Sequence, residues 1–287
     1  MADTLPSPQP SPAGRERERR RPDVEWWLAY AAVGAVVGFF AGMLGIGGGA
    51  IMVPLLVWFF EAQGLPKAHI LHLAVGTAMA TILFTSVASV RAHAARGAIR
   101  WDIARNITPG VLAGGLAGSW IASFIPPAAF AAIFTAVIYL AATNLLLDRK
   151  PKASREPPGF AGMFAFGFLV SAVSAFTAIG GAFMTVPFML WCNVPMLQAI
   201  GTAAVIGFPI ALSGTIGFVA TGLRETGLPP YSVGFVFLPA LAGIVVASML
   251  VAPLGAAAAH RLPTVWLKRI FAVLFYAMAT RMLITFL

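Results

Sequence analysis

Long apolar runs alternate along the chain with short charged or proline-rich breaks. After a polar N-terminal stretch, the runs cover roughly 26–60, 73–90, 102–124, 128–147, 160–191, 198–220, 231–258 and 265–286. A helix crosses the hydrocarbon core in about 20 residues. The first run, Trp26 to Phe60, is too long for one straight span, and its second part, Ala50 to Phe60, is too short for another. Between them, Gly38 to Pro54 reads GFFAGMLGIGGGAIMVP, crowding Gly45, Gly47, Gly48 and Gly49 where a buried helix should be most regular. Glycine costs up to about 1 kcal/mol in a helix interior, and backbone freed from helical bonding cannot be left against lipid. The pattern predicts a spanning helix, a glycine break facing protein or a water-filled cavity, and a re-entrant half-helix.

The same plan recurs. Gly167 to Pro187 reads GFLVSAVSAFTAIGGAFMTVP, so Ile46-Gly47-Gly48 meets Ile179-Gly180-Gly181 and Pro54 meets Pro187, each 133 positions on. Gly76-Thr77-Ala78 is answered by Gly201-Thr202-Ala203 at an offset of 125. In the last runs Phe134, Tyr139, Ala142, Thr143 and Leu146 meet Phe271, Tyr276, Ala279, Thr280 and Leu283 at an offset of 137. Matched blocks in one order point to duplication. The expected fold is an all-α polytopic membrane protein of about eight transmembrane helices. They form two homologous four-helix repeats, each with a glycine-broken first helix and a re-entrant half-helix.

Four segments follow: a disordered basic tail (1–25), a first transmembrane repeat (26–147), a basic linker (148–158) and a second repeat (159–287). The tail is rich in proline and serine and carries RERERRR at Arg15 to Arg21, which favours a cytoplasmic N-terminus in the cell's inner membrane. A parallel four-plus-four arrangement puts the tail, the Arg91 to Arg105 loop and the linker on the cytoplasmic side. It leaves Arg261, Lys268 and Arg269 outside. Nine spans with an inverted second half would return those three, but the likeness of the halves favours eight.

Composition supports the membrane reading: 59% of residues are hydrophobic and 10% charged, outside the range of soluble domains. The net charge of +9 sits in the tail and short loops, so it is no nucleic-acid footprint. One cysteine, Cys192, excludes an internal disulfide and any multi-cysteine metal site.

The ten acidic residues all lie outside the middles of the apolar runs. Cation carriers commonly place carboxylates there, so a cation path lacks its parts. His69 and His72 are three apart, a spacing that would serve a metal on a helix, but without a nearby cysteine two interfacial histidines is the better reading. Gly45 to Ala50 formally satisfies G-x-G-x-x-G/A, a pattern meaningful only between a strand and a helix of a soluble unit. With no nucleophile elbow, zinc-protease motif or paired intramembrane carboxylates, no enzyme and no cofactor is expected.

The two glycine breaks remain. Half-helices beginning after Gly49 and after Gly181 would each aim unpaired N–H groups and a positive dipole end at a cavity, which attracts anions. Close helix packing by glycine is the alternative, as at Gly38/Gly42 or Gly114/Gly118. The candidate substrate-binding residues are Gly45, Gly47, Gly48, Gly49, Pro54, Thr77, Gly180, Gly181, Pro187 and Thr202. The prolines would add local strain and the threonines hydroxyl donors.

The sequence resembles the TauE/SafE family of sulfite exporters and relatives. The likeness rests on GMLGIGGGAIMVP at 42–54, AVGTAMA at 74–80, RGAIRW at 96–101, AIGGAFMTVP at 178–187 and AIGTAAV at 199–205. It covers roughly residues 30–287. The resemblance implies an inner-membrane transporter of two repeats moving small sulfur-containing or organic anions such as sulfite or sulfoacetate. The second motif departs with Ala178 and Ala182 where the first has Gly45 and Gly49, and Gly227 to Tyr231 is a poor match for G-x-I-x-W. The expected partners are a small anionic substrate and the lipid bilayer, with a homo-oligomer left open and no nucleic acid. The rival reading is a non-transporting membrane scaffold or assembly factor.

Overall fold

The computed structural model describes residues 24–44, 48–95, 97–147, 156–259 and 264–286. The expectations for the tail, for Gly45 and Gly47 and for most of the linker lie outside them. Ten helices are described: α1 Val24–Leu44, α2 Gly49–Ala62, α3 Lys67–Ala94, α4 Trp101–Ser123, α5 Pro127–Leu147, α6 Phe160–Thr177, α7 Ala182–Trp191, α8 Met196–Gly222, α9 Leu238–Ala259 and α10 Thr264–Phe286. Five carry segments long and apolar enough to cross a membrane: Lys67–Arg91, Pro127–Leu147, Phe160–Thr177, Met196–Gly222 and Arg269–Phe286. Prolines at 66, 127 and 195 stand at helix starts, where a missing N–H costs nothing.

The run 231–258 is not helical throughout. Strands β1 (Ser232–Val233) and β2 (Val236–Phe237) pair antiparallel before α9 begins. Gly234, with φ 55°, and Phe235 form the two-residue turn between them. Gly234-Phe235-Val236-Phe237-Leu238 lies 137 positions after Gly97-Ala98-Ile99-Arg100-Trp101, and Gly97 also has positive φ, 62°. Gly234 to Leu238, not Gly227 to Tyr231, is therefore the second-half counterpart of G-x-I-x-W. Its aromatic position has become Leu238, which hid it.

Helix directions follow from which residues face each other. In a membrane, helices gain nothing by hiding apolar surface from one another, so close backbone approach and interhelical hydrogen bonds hold them together. α1 lies along α9: a Cβ on Gly34 would sit 2.6 Å from the Ile244 carbonyl, and one on Gly38 2.5 Å from Ser248 Cα. α4 lies along α6, where Gly110 faces Phe164, Gly114 faces Phe168 and Gly118 faces Ala172. Both pairs run parallel. By contrast, Gly76 and Met79 of α3 meet Phe218 and Gly214 of α8 in reverse order, so those two are antiparallel. α5 and α10 are antiparallel as well. The Thr135 hydroxyl donates to the Ala279 carbonyl (3.1 Å), Tyr139 pairs with Thr280, and Tyr276 pairs with Thr143. Thr143 and Thr280 donate to the Tyr139 and Tyr276 carbonyls, so the tyrosines must be the donors and all four hydroxyl protons are used.

Sequence-matched helices thus run antiparallel, which contradicts the parallel four-plus-four arrangement. Nor does the first helix cross and leave its half-helix behind. The Gln63 side chain at the end of α2 donates to the Tyr30 hydroxyl near the start of α1, closing α1 and α2 into a hairpin with its tip at the glycine break. That hairpin enters from the face where α3 starts and where α4, α8 and α10 end. The α6–α7 hairpin enters from the opposite face. Accordingly Val24 and the segments 97–100 and 156–159 lie on opposite faces, so the tail and the linker cannot both be cytoplasmic.

His72, expected at an interface, is buried at 4% exposure. Its Nε2–H donates to the Ala122 carbonyl at 3.0 Å, and its ring packs against Phe130 and Phe235. Among the described residues no group of acidic, cysteine and histidine side chains could hold a metal.

Reporter domains fused at the N-terminus and inserted near Lys152 should report opposite sides of the membrane. A parallel-repeat protein would place both on one side, and that result would refute the hairpin topology.

Candidate functional site

The two glycine breaks meet. α2 starts after Gly48, held in the left-handed conformation (φ 52°, ψ −8°), and α7 starts after Gly181 in nearly the same one (φ 62°, ψ −19°). This conformation costs an L-residue roughly 1–2 kcal/mol, so glycine belongs there. Gly48 and Gly181 are 133 apart, the offset at which the motifs align. A Cβ on Gly49 would lie 1.8 Å from the Ala178 carbonyl oxygen. No side chain fits there, and two hairpins from opposite faces touch tip to tip through it. Ala178 is itself left-handed (φ 51°) where the first motif has a glycine. The alanine therefore does not relax this turn; it adopts the left-handed conformation at an energetic cost.

The turn at the second tip is tight. The amides of Gly181 and Ala182 donate to the carbonyls of Ile179 and Gly180, two successive three-residue turns, and the Ala178 amide donates to Ser174 at 2.7 Å. Thr185 caps the turn from within α7, its hydroxyl donating to the Gly181 carbonyl at 3.1 Å. Among the described residues the Gly180 and Phe183 amides meet no backbone acceptor. At the first tip the Ile51 and Met52 amides share the Gly48 carbonyl.

The prolines complete the arrangement. Pro54 lies inside α2 and Pro187 inside α7. Lacking an N–H, each leaves without a helical donor the carbonyl four residues earlier, on Ala50 and on Phe183. Both residues line a cavity of about 50 Å³ at the junction, together with Gly48, Gly49, Ile179, Phe40, Leu145 and Phe275 among others. By the same measure one water needs about 10–15 Å³, so the space admits a few water-sized groups. Its walls are apolar, and its polar atoms are backbone. Titratable side chains take no part in the lining. α2 and α7 both begin here and run to opposite faces, so two positive dipole ends, each worth about half a charge, meet between the hairpin tips beside the negative ends of α1 and α6.

Of the candidate residues, Gly48 and Gly49 line the cavity; Gly180 and Gly181 turn the second tip beside it without lining it, Gly181 facing Ile210 and Val170, and Pro54 and Pro187 stand one and a half turns along their half-helices. Gly45 and Gly47 lie outside the described residues. Thr77 and Thr202 are fully buried away from the cavity lining. Each hydroxyl accepts a backbone N–H, Thr77 from Phe237 at 3.0 Å and Thr202 from Arg100 at 2.9 Å. Phe40, Phe183 and Phe275 were not anticipated. Phe183 has no aromatic counterpart in the first half, where Ala50 occupies the matching position, and nothing in the apolar pattern distinguishes these phenylalanines from lipid-facing ones.

Residues 30–282 match the family model for the sulfite exporter TauE/SafE family. A probable membrane transporter protein of Haemophilus influenzae is 32% identical over 251 residues, covering 87% of this chain and 95% of the relative. Similar proteins of the same description occur in Methanocaldococcus jannaschii, 23% identical over 72% of this chain and 76% of the relative, and in Bacillus subtilis, 25% identical over 81% and 90%. No solved structure matches. With its broken-helix motifs, its apolar helices and this match across nearly its whole length, the chain belongs to the TauE/SafE family of multi-pass membrane transporters.

Proposed function

We propose that the protein is a secondary transporter of the inner membrane that exports small anions such as sulfite or organosulfonates through the junction of its two glycine breaks. The observation that carries this is the contact of Gly49 with Ala178, which brings two helix N-termini together between hairpins from opposite faces. Converging N-terminal dipoles favour an anion and disfavour a cation. Broken helices in corresponding halves with a site between them are the usual build of secondary carriers. Two inverted repeats, 26–147 and 159–287, account for the reciprocal packing of α1 with α9 and of α6 with α4. Gly48, Gly49, Gly180 and Gly181 would supply the backbone at the substrate, with Gly45 and Gly47 completing the first tip. Pro54 and Pro187 would hold helical bonding open beside it. Thr77 and Thr202 act at a distance, by fixing backbone.

Proteoliposomes bearing the protein should release sulfite or a short organosulfonate faster than empty vesicles. Absence of flux for a whole panel of sulfite, sulfonates and carboxylates, together with co-purifying protein partners, would favour a scaffold instead.

Gly49→Ala should reduce flux at least about tenfold, because its methyl group must push the Ala178 carbonyl away, and misplacement by about 1 Å at a functional centre costs on the order of a hundredfold. Gly64→Ala is the control. Gly64 is also left-handed (φ 70°) but has open space around it, so the variant should lose about 1 kcal/mol of stability and keep its flux. Equal flux in both variants would remove the junction from the mechanism.

A further inference from the structure

Two short extended straps, one at each face, join the central helices α3 and α8 to α4 and α9. Gly97 to Arg100 leads into α4, and Gly234 to Phe237 leads into α9. Both dock in the same way. The Ala98 carbonyl lies where a Cβ on Gly201 would come within 1.9 Å, and the Phe235 carbonyl where one on Gly76 would come within 2.3 Å. Two residues on, the Arg100 and Phe237 amides donate to Thr202 and Thr77. Each Gly-Thr pair is thus a latch that holds a strap from the other half.

The latches are unequal. The Gly234 strap is gripped from several sides: the Phe235 amide donates to the Phe218 carbonyl at 3.1 Å, Gly234 and Gly222 admit backbone contact between the strap and α8, and Phe235 packs on His72 and Phe218. By contrast, a Cβ on Gly97 would meet nothing within 4 Å, the Gly97 and Ala98 amides donate, among the described residues, to the last turn of α3, and Arg100 spends its guanidinium on an exposed pair with Asp102 at 2.6 Å. Among the described residues, its hydrogen bond beyond its own connection is the one to Thr202.

What each strap carries also differs. α4 is locked to α6 by the Gly110, Gly114 and Gly118 seam, and α6 ends at Ala178, the carbonyl pressed on Gly49. We propose that the Gly97–Arg100 strap is the releasable latch of the molecule and Thr202 its positioning residue. Gly97 is the hinge, and the α4–α6 pair slides as one body along α8, past the Gly115–Ser213 and Gly217–Ser119 contacts, to draw Ala178 off Gly49 while the Gly234 strap stays fixed. The purpose of the motion rests on the transport reading; the inequality of the straps does not.

Hydrogen exchange on the full chain in lipid nanodiscs tests it. After correction for intrinsic rates, the amides of 98–101 should exchange at least about tenfold faster than those of 235–238. Thr202→Val should speed the first group and leave the second unchanged, and Thr202→Ser should restore it. Equal exchange in the two straps, faster exchange at 235–238, or a Thr202→Val effect spread over both would overturn the proposal. Unequal straps in a protein that moves no solute would support the latch while removing transport as its purpose.

Discussion

Backbone amides and carbonyls inside a bilayer have no water to bond, so any interruption of a buried helix must find its partners in protein. Two interruptions occur here, and each is placed against the other. The cost of breaking α1 from α2 and α6 from α7 is contained by letting the tips touch, with Ala178 held left-handed and its carbonyl seated on Gly49. A single broken hairpin would present its tip to lipid. Two from opposite faces shield each other, and they leave between them a small space whose polar atoms are all main chain. No side chain lends that space charge: its polar groups are main chain, at the ends of the four helices that meet there.

What holds the hairpins in register lies elsewhere. Three glycine seams join a helix before the linker to a helix after it: α1 to α9, α4 to α6, and α4 to α8, where Gly115 faces Ser213 and Gly217 faces Ser119. The hydroxyl ladder of α5 and α10 does the same, with Tyr139 on Thr280 and Tyr276 on Thr143. Such interhelical hydrogen bonds average about 0.6 kcal/mol in membrane proteins, and the cluster spends all its protons internally, so it is a fastening and leaves no donor for a solute. The halves are consequently interwoven. A movement that opens the junction has to carry a seam whole, and the natural moving body is a helix pair rather than a half.

The glycine breaks and the prolines were legible in sequence because each is local: a left-handed turn needs glycine, and a proline ends a hydrogen-bond ladder wherever it stands. Relations between distant segments were not. The Gly-Thr pairs looked like hydroxyl donors to a solute, yet their hydroxyls accept amides more than 100 residues away. The second strap was overlooked because Leu238 replaces the tryptophan that marks the first, although the φ-positive glycine remained as a signal. His72 read as interfacial by its place near the end of a run, whereas Ala122 and Phe130 of neighbouring helices bury it. The orientation of the second half was misjudged from likeness alone, since a sequence match carries no information about which way a helix points.

Charge at the straps ties these points together. When a duplicated segment is inserted in the opposite sense, a given loop lands on the opposite face, so charge cannot favour one side in both copies. In sequence, Arg96, Arg100 and Arg105 lie before, within and after the first strap, and the positions 137 residues later are Val233, Phe237 and Ala242. Losing the arginines changes the mechanics of the strap. A strap bearing arginines must keep them solvated and so stays at the rim, with Arg100 in an exposed ion pair. A strap of Phe235, Val236 and Phe237 can be buried almost completely, and it is, at 1%, 3% and 7% exposure. The residues that replace the arginines thus let the second strap bury deeply, while Arg100 keeps the end of the first in an exposed ion pair.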